Sequence, residues 1–163
     1  MELIELIKQF EGFRNKAYLC PSNVWTIGYG NTFYLDGSMV KEGDTITEKD
    51  AAILLEKTVS DFRLNVLKIV PATLPNKAID ALVSFAYNCG VTALKNSTLL
   101  KKIKENPLNL KGIEKEFAKW NKGGGKVLQG LVRRRKLEFE MYEDGILNQY
   151  TKKELLYKEP PKE

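Results

Sequence analysis

Apolar residues recur at helical spacing at the start of the chain. Leu3, Leu6, Ile7 and Phe10 fall on one stripe, and Gly12 follows as a stop signal. The pattern predicts a first helix over about residues 2–11, with Glu2 and Glu5 near its positive end and Glu11 at its negative end. From Tyr18 to Val40 the residues favour strand instead. Val24-Trp25-Thr26-Ile27 is a β-rich run, and Leu35-Asp36-Gly37-Ser38 supplies a hairpin-type turn signal. A small β-region of about three strands is expected.

Thr47-Glu48-Lys49-Asp50 has the form of an N-cap with an acidic third residue. It opens a long helix whose stripe of Leu55, Val59, Phe62, Val66 and Ile69 runs up to Pro71. Asn76 is the expected cap of the next helix, in which Ala78, Leu82, Phe85, Ala86 and Cys89 share a face. Ile79 and Val83 make it apolar on most sides, which suggests a central buried helix ended by Gly90. Two shorter amphipathic segments follow, around residues 99–103 and on Ile113, Phe117 and Trp120; Gly123-Gly124-Gly125 then breaks the chain. A last helix is expected over about residues 128–144, ending at Asp144-Gly145, with a frayed tail beyond. The fold class is α+β and mostly helical, in a single domain. Its expected parts are a β-lobe over about 12–46, a linking helix over about 47–70, a helical lobe over about 71–145 and a tail over about 146–163.

Composition narrows the chemistry. A hydrophobic content of 43% is enough to build a core without staples. No apolar run approaches the roughly 20 residues of a spanning helix. The acidic start, Met1-Glu2-Leu3-Ile4-Glu5, lacks the basic region of a secretory signal, so the protein is expected in the cytoplasm. Cys20 and Cys89 would there stay reduced. Histidine is absent, which removes His-dependent triads and leaves zinc without enough ligands. Acid–base work falls to carboxylates, Cys, Tyr or Lys. No metal, nucleotide or other cofactor is suggested. The net charge of +5 suits an anionic partner, whether nucleic acid, membrane surface or wall polymer, and charge alone does not choose among them.

The chemistry concentrates between Glu11 and Gly30, where a carboxylate, a thiol and a hydroxyl are spaced as Glu, eight residues, Cys, five residues, Thr. Glycoside hydrolysis usually needs a protonated group at the leaving oxygen and a second group across the sugar. Glu11 suits the first role, because unpaired carbonyls at a helix C-terminus disfavour a carboxylate and raise its pKa. A surface residue ending a helix would look the same. Cys20 suits a base for water or a nucleophile forming a thioglycosyl intermediate, although a lone Cys before Pro is also commonly inert. Thr26 is by default a β-former; its functional reading is a hydroxyl that holds the attacking water in line.

Together with the following Gly28-Tyr29-Gly30, the triad resembles the active-site signature of the phage-type lysozymes, endolysins of glycoside hydrolase family 24, in which the middle position is Asp or Cys. The resemblance continues through Ile46-Thr47, Ser84-Phe85-Ala86-Tyr87-Asn88-Cys89-Gly90, Trp120-Asn121-Lys122-Gly123-Gly124 and Gly130-Leu131-Val132-Arg133-Arg134-Arg135, so that it covers the chain to about residue 145. It implies a lysozyme-like fold, with a small β-lobe and a larger helical lobe flanking a cleft. It also implies a muramidase that cuts the β-1,4 bond between N-acetylmuramic acid and N-acetylglucosamine in peptidoglycan. Carried over, Glu11 is the proton donor, Cys20 the second catalytic group and Thr26 the residue that positions water. Thr32, Tyr87, Asn88 and Ser97 match substrate-binding positions, with packing as the competing role of Tyr87 and helix capping that of Ser97. One departure is Asn31, where many relatives carry His; this puts in doubt a pH-linked ion pair at that position.

Arg133-Arg134-Arg135-Lys136 is a basic run of the kind that usually forms a solvated helix face. Spacing nevertheless puts Val132, Arg135, Phe139 and Tyr142 on one stripe, so Arg135 is expected to point inward. An inward Arg needs a carboxylate, and Glu11 is the candidate that it would orient, at the expense of a lower Glu11 pKa. As partners, the reading implies peptidoglycan as substrate and a holin for release to the wall, with no nucleic acid, no membrane anchor and a monomeric state. The competing readings are a non-catalytic basic module binding cell wall or nucleic acid, activity on a related glycan such as chitin oligomers, and a lytic transglycosylase.

Overall fold

The structure, a computed structural model, describes residues 1–150; of the tail expected over about 146–163, residues 146–149 belong to the last helix and 151–163 lie outside the described residues. The chain divides into two compact units, Met1–Asp61 and a second that begins at Phe62. The elements are α1 (Leu3–Glu11), β1 (Arg14–Leu19), β2 (Trp25–Gly28), α2 (Glu48–Leu67), α3 (Asn76–Cys89), α4 (Val91–Asn96), α5 (Thr98–Glu105), α6 (Leu110–Ala118), β3 (Lys122–Gly123), β4 (Lys126–Val127) and α7 (Gln129–Gln149). The fold is therefore mostly helical with small antiparallel sheets, and the unit boundary falls inside α2.

In the first unit, α1 buries Leu3, Leu6 and Ile7, the stripe read from its spacing. Gly12 ends it with φ of 71°, a conformation open to glycine, and donates its N–H to Lys8 O. The β-region holds two regular strands where about three were expected. β1 pairs antiparallel with β2, Tyr18 opposite Thr26 and Leu19 opposite Trp25, with an irregularity between Arg14 and Tyr18. The second hairpin forms around the expected turn, but Phe33 and Met39 meet only as an isolated bridge. Asp36 holds that turn by accepting from Ser38 N and Oγ, which draws the chain out of a regular ladder. Thr47 caps α2, its Oγ1 accepting from Asp50 N at 3.1 Å. Asn31, buried, donates Nδ2 to Thr58 Oγ1 at 2.7 Å, and Thr58 donates onward to Leu54 O. A neutral hydrogen bond thus stands where an ion pair was in doubt.

In the second unit, α3 is buried along Ala78, Ile79 and Ala81 through Ala86, the central helix that its apolar pattern foretold. Asn76 is its first helical residue and makes no capping bond; Pro75 holds the cap position in extended conformation. Gly90, with φ of 96°, ends α3 and begins α4, a six-residue helix too short to show a period in the sequence. The glycine run makes a β-hairpin: β3 pairs with β4, and Gly124 and Gly125 both take positive φ, as a two-residue connection requires.

The last helix runs past its expected end. Gly145 is not a stop but a buried residue inside α7, where a Cβ would lie 2.7 Å from Ala78 N and 3.2 Å from Lys77 Cβ. It is glycine because α7 approaches the start of α3 that closely. Farther up the same contact, α7 sets Arg134, Arg135 and Glu138, all buried, against α3. Glu138 Oε2 accepts from Ser84 Oγ at 2.6 Å and Arg135 Nη2 at 3.1 Å, and Arg134 Nη2 donates to Ser84 O at 3.3 Å.

Two substitutions test this contact in urea or thermal unfolding. Gly145→Ala gains about 1 kcal/mol of helix propensity but meets backbone at 2.7 Å, so a net loss of about 1–3 kcal/mol is expected; a stabilised variant would show that the approach is not tight. Glu138→Gln strips the counter-charge from two buried guanidinium groups and is expected to cost about 3–5 kcal/mol. An unchanged midpoint would mean that the carboxylate does not balance them.

Candidate active site

Three of the sequence-predicted residues come from one short stretch of the first unit. Glu11 is the last residue of α1, half-buried, and the glycine turn at Gly12 sends the chain straight into β1. Phe13, just beyond the turn, sits against Tyr29 with ring centroids 5.7 Å apart, and Lys8 lies 5.7 Å from the same Tyr29 ring. The end of α1 is thereby fixed against the residue that follows β2.

Cys20 follows β1 directly. Its N–H donates to Val24 O at 3.0 Å and its carbonyl accepts from Asn23 N at 2.8 Å, so Pro21-Ser22-Asn23 is a three-residue hairpin loop. Asn23 has φ of 60°, the left-handed residue such a loop needs. This connection went unread in the sequence, although proline, serine and asparagine in that order are its signal. With Tyr18 opposite Thr26 and Cys20 opposite Val24, the side chains of Cys20 and Thr26 fall on one face of the hairpin.

The tight turn has a chemical consequence. Hydrogen bonds from the backbone of Val24 first and of Ser22 next, with smaller help from the Thr26 and Ser22 side chains, hold the Cys20 thiol below its usual pKa. They outweigh the opposing effect of burial. Thr26 is itself buried and donates its hydroxyl to Val24 O at 2.9 Å. A hydroxyl has one proton, so it serves either that carbonyl or the Cys20 sulfur.

Thr32, half-buried in the same unit, pairs with Val40 through its backbone carbonyl, leaving its hydroxyl outside that bond. The other candidates belong to the second unit. Tyr87 is half-buried and tilted against Phe62 at 5.3 Å. Asn88 is exposed, and its Oδ1 accepts from Cys89 Sγ at 3.5 Å. Ser97 is a helix cap: Oγ accepts from Leu100 N at 3.0 Å and donates to Leu94 O at 2.7 Å, so its one proton is used within the chain.

Arg135 points inward, as its stripe predicts, and it has a carboxylate that the sequence reading did not consider. Glu138, three residues along α7, has Oε1 2.7 Å from Arg135 Nε, an ion-pair contact in which the N–H is not well aimed, and the better-directed bond is Nη2 to Oε2. Arg135 also donates to Cys89 Sγ at 2.9 Å and lies over the Phe85 ring at 5.0 Å. Burial, working against the nearby guanidinium groups, raises both the Glu138 carboxyl and the Cys89 thiol above their ordinary values. The i, i+3 and i, i+4 spacings from Arg135 and Arg134 to Glu138 were the available signal.

Among the described residues there is no group of three or more His, Cys, Asp or Glu placed to hold a metal ion. No described helix is long and apolar enough to cross a membrane.

Comparison with known proteins adds a coherent set of likenesses. The family model for phage lysozyme matches residues 8–138. An endolysin of Bacillus phage B103 is 44% identical over 144 residues, covering 87% of this chain and 52% of that protein. An endolysin of Acyrthosiphon pisum secondary endosymbiont phage 1 is 37% identical, covering 86% of this chain and 94% of the other. Among solved structures, an endolysin from Escherichia coli O157:H7 phage FAHEc1 superposes with TM-score 0.74 at 36% identity, covering 87% of this chain and 90% of that one. A mutant lysozyme of phage P22 gives 0.72 at 29% identity, covering 88% and 99%. The chain spans about half the length of the Bacillus phage relatives that it matches.

The two cysteines should separate in alkylation. Cys20, with its thiol pKa lowered, is expected to react with iodoacetamide at lower pH than Cys89, whose thiol is raised by burial. Peptide mapping by mass spectrometry across neutral to alkaline pH checks this. Equal labelling of both at neutral pH would refute it.

Proposed function

We infer that this chain, which belongs to the phage lysozyme family, hydrolyses the β-1,4 bond between N-acetylmuramic acid and N-acetylglucosamine in peptidoglycan and so lyses the host cell. The observation that supports this reading is the hairpin that puts Cys20 and Thr26 on one face, in the strand pair that follows Glu11 at the end of α1. Glu11 gives its proton to the leaving glycosidic oxygen. Cys20, as thiolate, takes a proton from water on the opposite face of the sugar or attacks the anomeric carbon. Thr26 aligns the water through the hydroxyl that it shares between Val24 O and the sulfur.

The lowered Cys20 pKa favours the thiolate that either role requires. A general base acts only when deprotonated, and the backbone bonds enlarge the thiolate fraction near neutral pH. Thr32, Tyr87 and Asn88 are proposed to contact the glycan. A transglycosylase is the weaker reading, since it has no use for a group that activates water. The protein acts from the host cytoplasm after a holin permeabilises the membrane, as a monomer.

Turbidity loss on purified walls tests the assignment. Glu11→Gln is expected to lower the rate by about a hundredfold or more with the circular dichroism unchanged; a variant that lyses at the wild-type rate removes Glu11 from the chemistry. Cys20→Ser and Cys20→Ala are expected to be inactive and Cys20→Asp active. In Cys20→Asp the ascending limb of the pH–rate profile should move to lower pH, because a carboxylate is deprotonated at lower pH than a thiol. An unmoved limb would deny Cys20 the role of base.

A further inference from the structure

Charge is divided unevenly along the chain. Residues 1–61 carry six Lys or Arg against ten Asp or Glu, whereas residues 62–150 carry sixteen against eight. The excess of positive charge on the second unit is only partly neutralised within it. Lys102 and Lys119 lie 3.7 and 2.7 Å from Glu116, and Arg134 and Arg135 share Glu138. At the junction of α4 and α5 the pattern changes. An open groove of about 470 Å³ is bordered by Lys95, Lys101 and Lys104, with Asn96 and Thr98 between them and Glu105 offsetting one charge. These three lysines are exposed and take part in no ion pair among the described residues. Lys101 and Lys104, one helical turn apart, stand on the same side of α5.

Three exposed lysines that border one concavity with a single carboxylate, Glu105, among them keep a net positive charge, and a multivalent anion relieves the repulsion that remains. The lining tells which anion. It contains no aromatic ring on which a base would stack and no arginine to read a base edge or to grip a planar carboxylate in a fork. It offers instead three point charges and the hydrogen-bonding side chains of Asn96 and Thr98, a set matched to phosphate and hydroxyl groups in alternation.

We propose that the α4–α5 groove is a docking site for a polyol-phosphate polymer, the anionic phosphodiester chain that accompanies peptidoglycan in many bacterial walls. It rests on the muramidase reading only for where such a polymer is met. Binding there holds the enzyme on its substrate between cuts, and it weakens with salt as phosphate contacts do.

The test is titration calorimetry with glycan-free poly(glycerol phosphate), with single-stranded DNA of equal phosphate number as the comparison ligand. Lys95→Gln/Lys101→Gln/Lys104→Gln is expected to lose about tenfold or more in affinity at low salt, whereas Lys111→Gln/Lys115→Gln/Lys126→Gln, equal in net charge, stays within about twofold. Equal loss in the two variants, no binding by the wild type, or tighter binding of DNA would each overturn the proposal. Lysis of walls chemically stripped of the polymer is measured beside it, where the groove variant should match the wild type; a slower groove variant there would also overturn it. If the wild type fails to lyse stripped walls, the hydrolase reading fails, while the calorimetry still decides the groove.

Discussion

The second unit depends on a carboxylate that has no contact with water. Glu138 is fully buried on α7 and stands among Arg134, Arg135 and Ser84. Such an arrangement is a poor source of net stability, because desolvating the charges offsets most of their attraction. Its effect is on alignment. The two arginines and the glutamate lie on one helix and move together, so their mutual attraction says nothing about where α7 sits. Ser84 and Cys89 lie on α3. The bonds from Ser84 Oγ to Glu138, from Arg134 to Ser84 O and from Arg135 to Cys89 Sγ are the ones that a slip of α7 would break. A one-residue slip turns a helix by about 100° and would break all three bonds to α3, leaving the intrahelical ion pairs intact but Ser84 Oγ without its acceptor. Gly145 enforces the same register at the other end, where no side chain fits against Ala78 N.

That constraint explains what could be read from the sequence and what could not. The buried face of α3, the stripe of α1 and the capped start of α2 were legible because each is a one-dimensional pattern repeated over several turns. Gly145 was misread as a helix stop for the opposite reason. Glycine ends helices often enough to be a signal, but here it answers to a neighbour 67 residues away, and local rules carry no word of that. Arg135 shows the middle case. Its burial followed from the stripe, but its carboxylate was sought at Glu11 although Glu138 lay three residues along. Periodicity tells which way a side chain points, not which of several acids it meets.

The candidate site was legible for a different reason, since its three residues come from one contiguous segment. Spacing alone pointed to a thiol and a hydroxyl in the segment that follows a helix-end carboxylate. The missing piece was the loop. Pro21-Ser22-Asn23 folds the chain so that Val24 returns opposite Cys20, and the amides that this brings to the sulfur set its acidity. Ser97 was ambiguous in the sequence between substrate contact and cap, and the bonds from Leu100 N and to Leu94 O make it a cap.

A thiol at the proposed second catalytic position has a physical logic of its own. A carboxylate there would be charged at neutral pH without assistance, whereas an isolated thiol would be mostly protonated. The amides of the three-residue loop make up part of that difference by favouring the thiolate, and they do so through backbone geometry that does not depend on any one side chain. In that hairpin the effect of burial on Cys20 is outweighed, while Cys89 is sheltered beside Arg135 and made less acidic by burial. Two cysteines of identical chemistry thus take opposite characters, one from a turn that points amides at it and the other from a helix contact that excludes water.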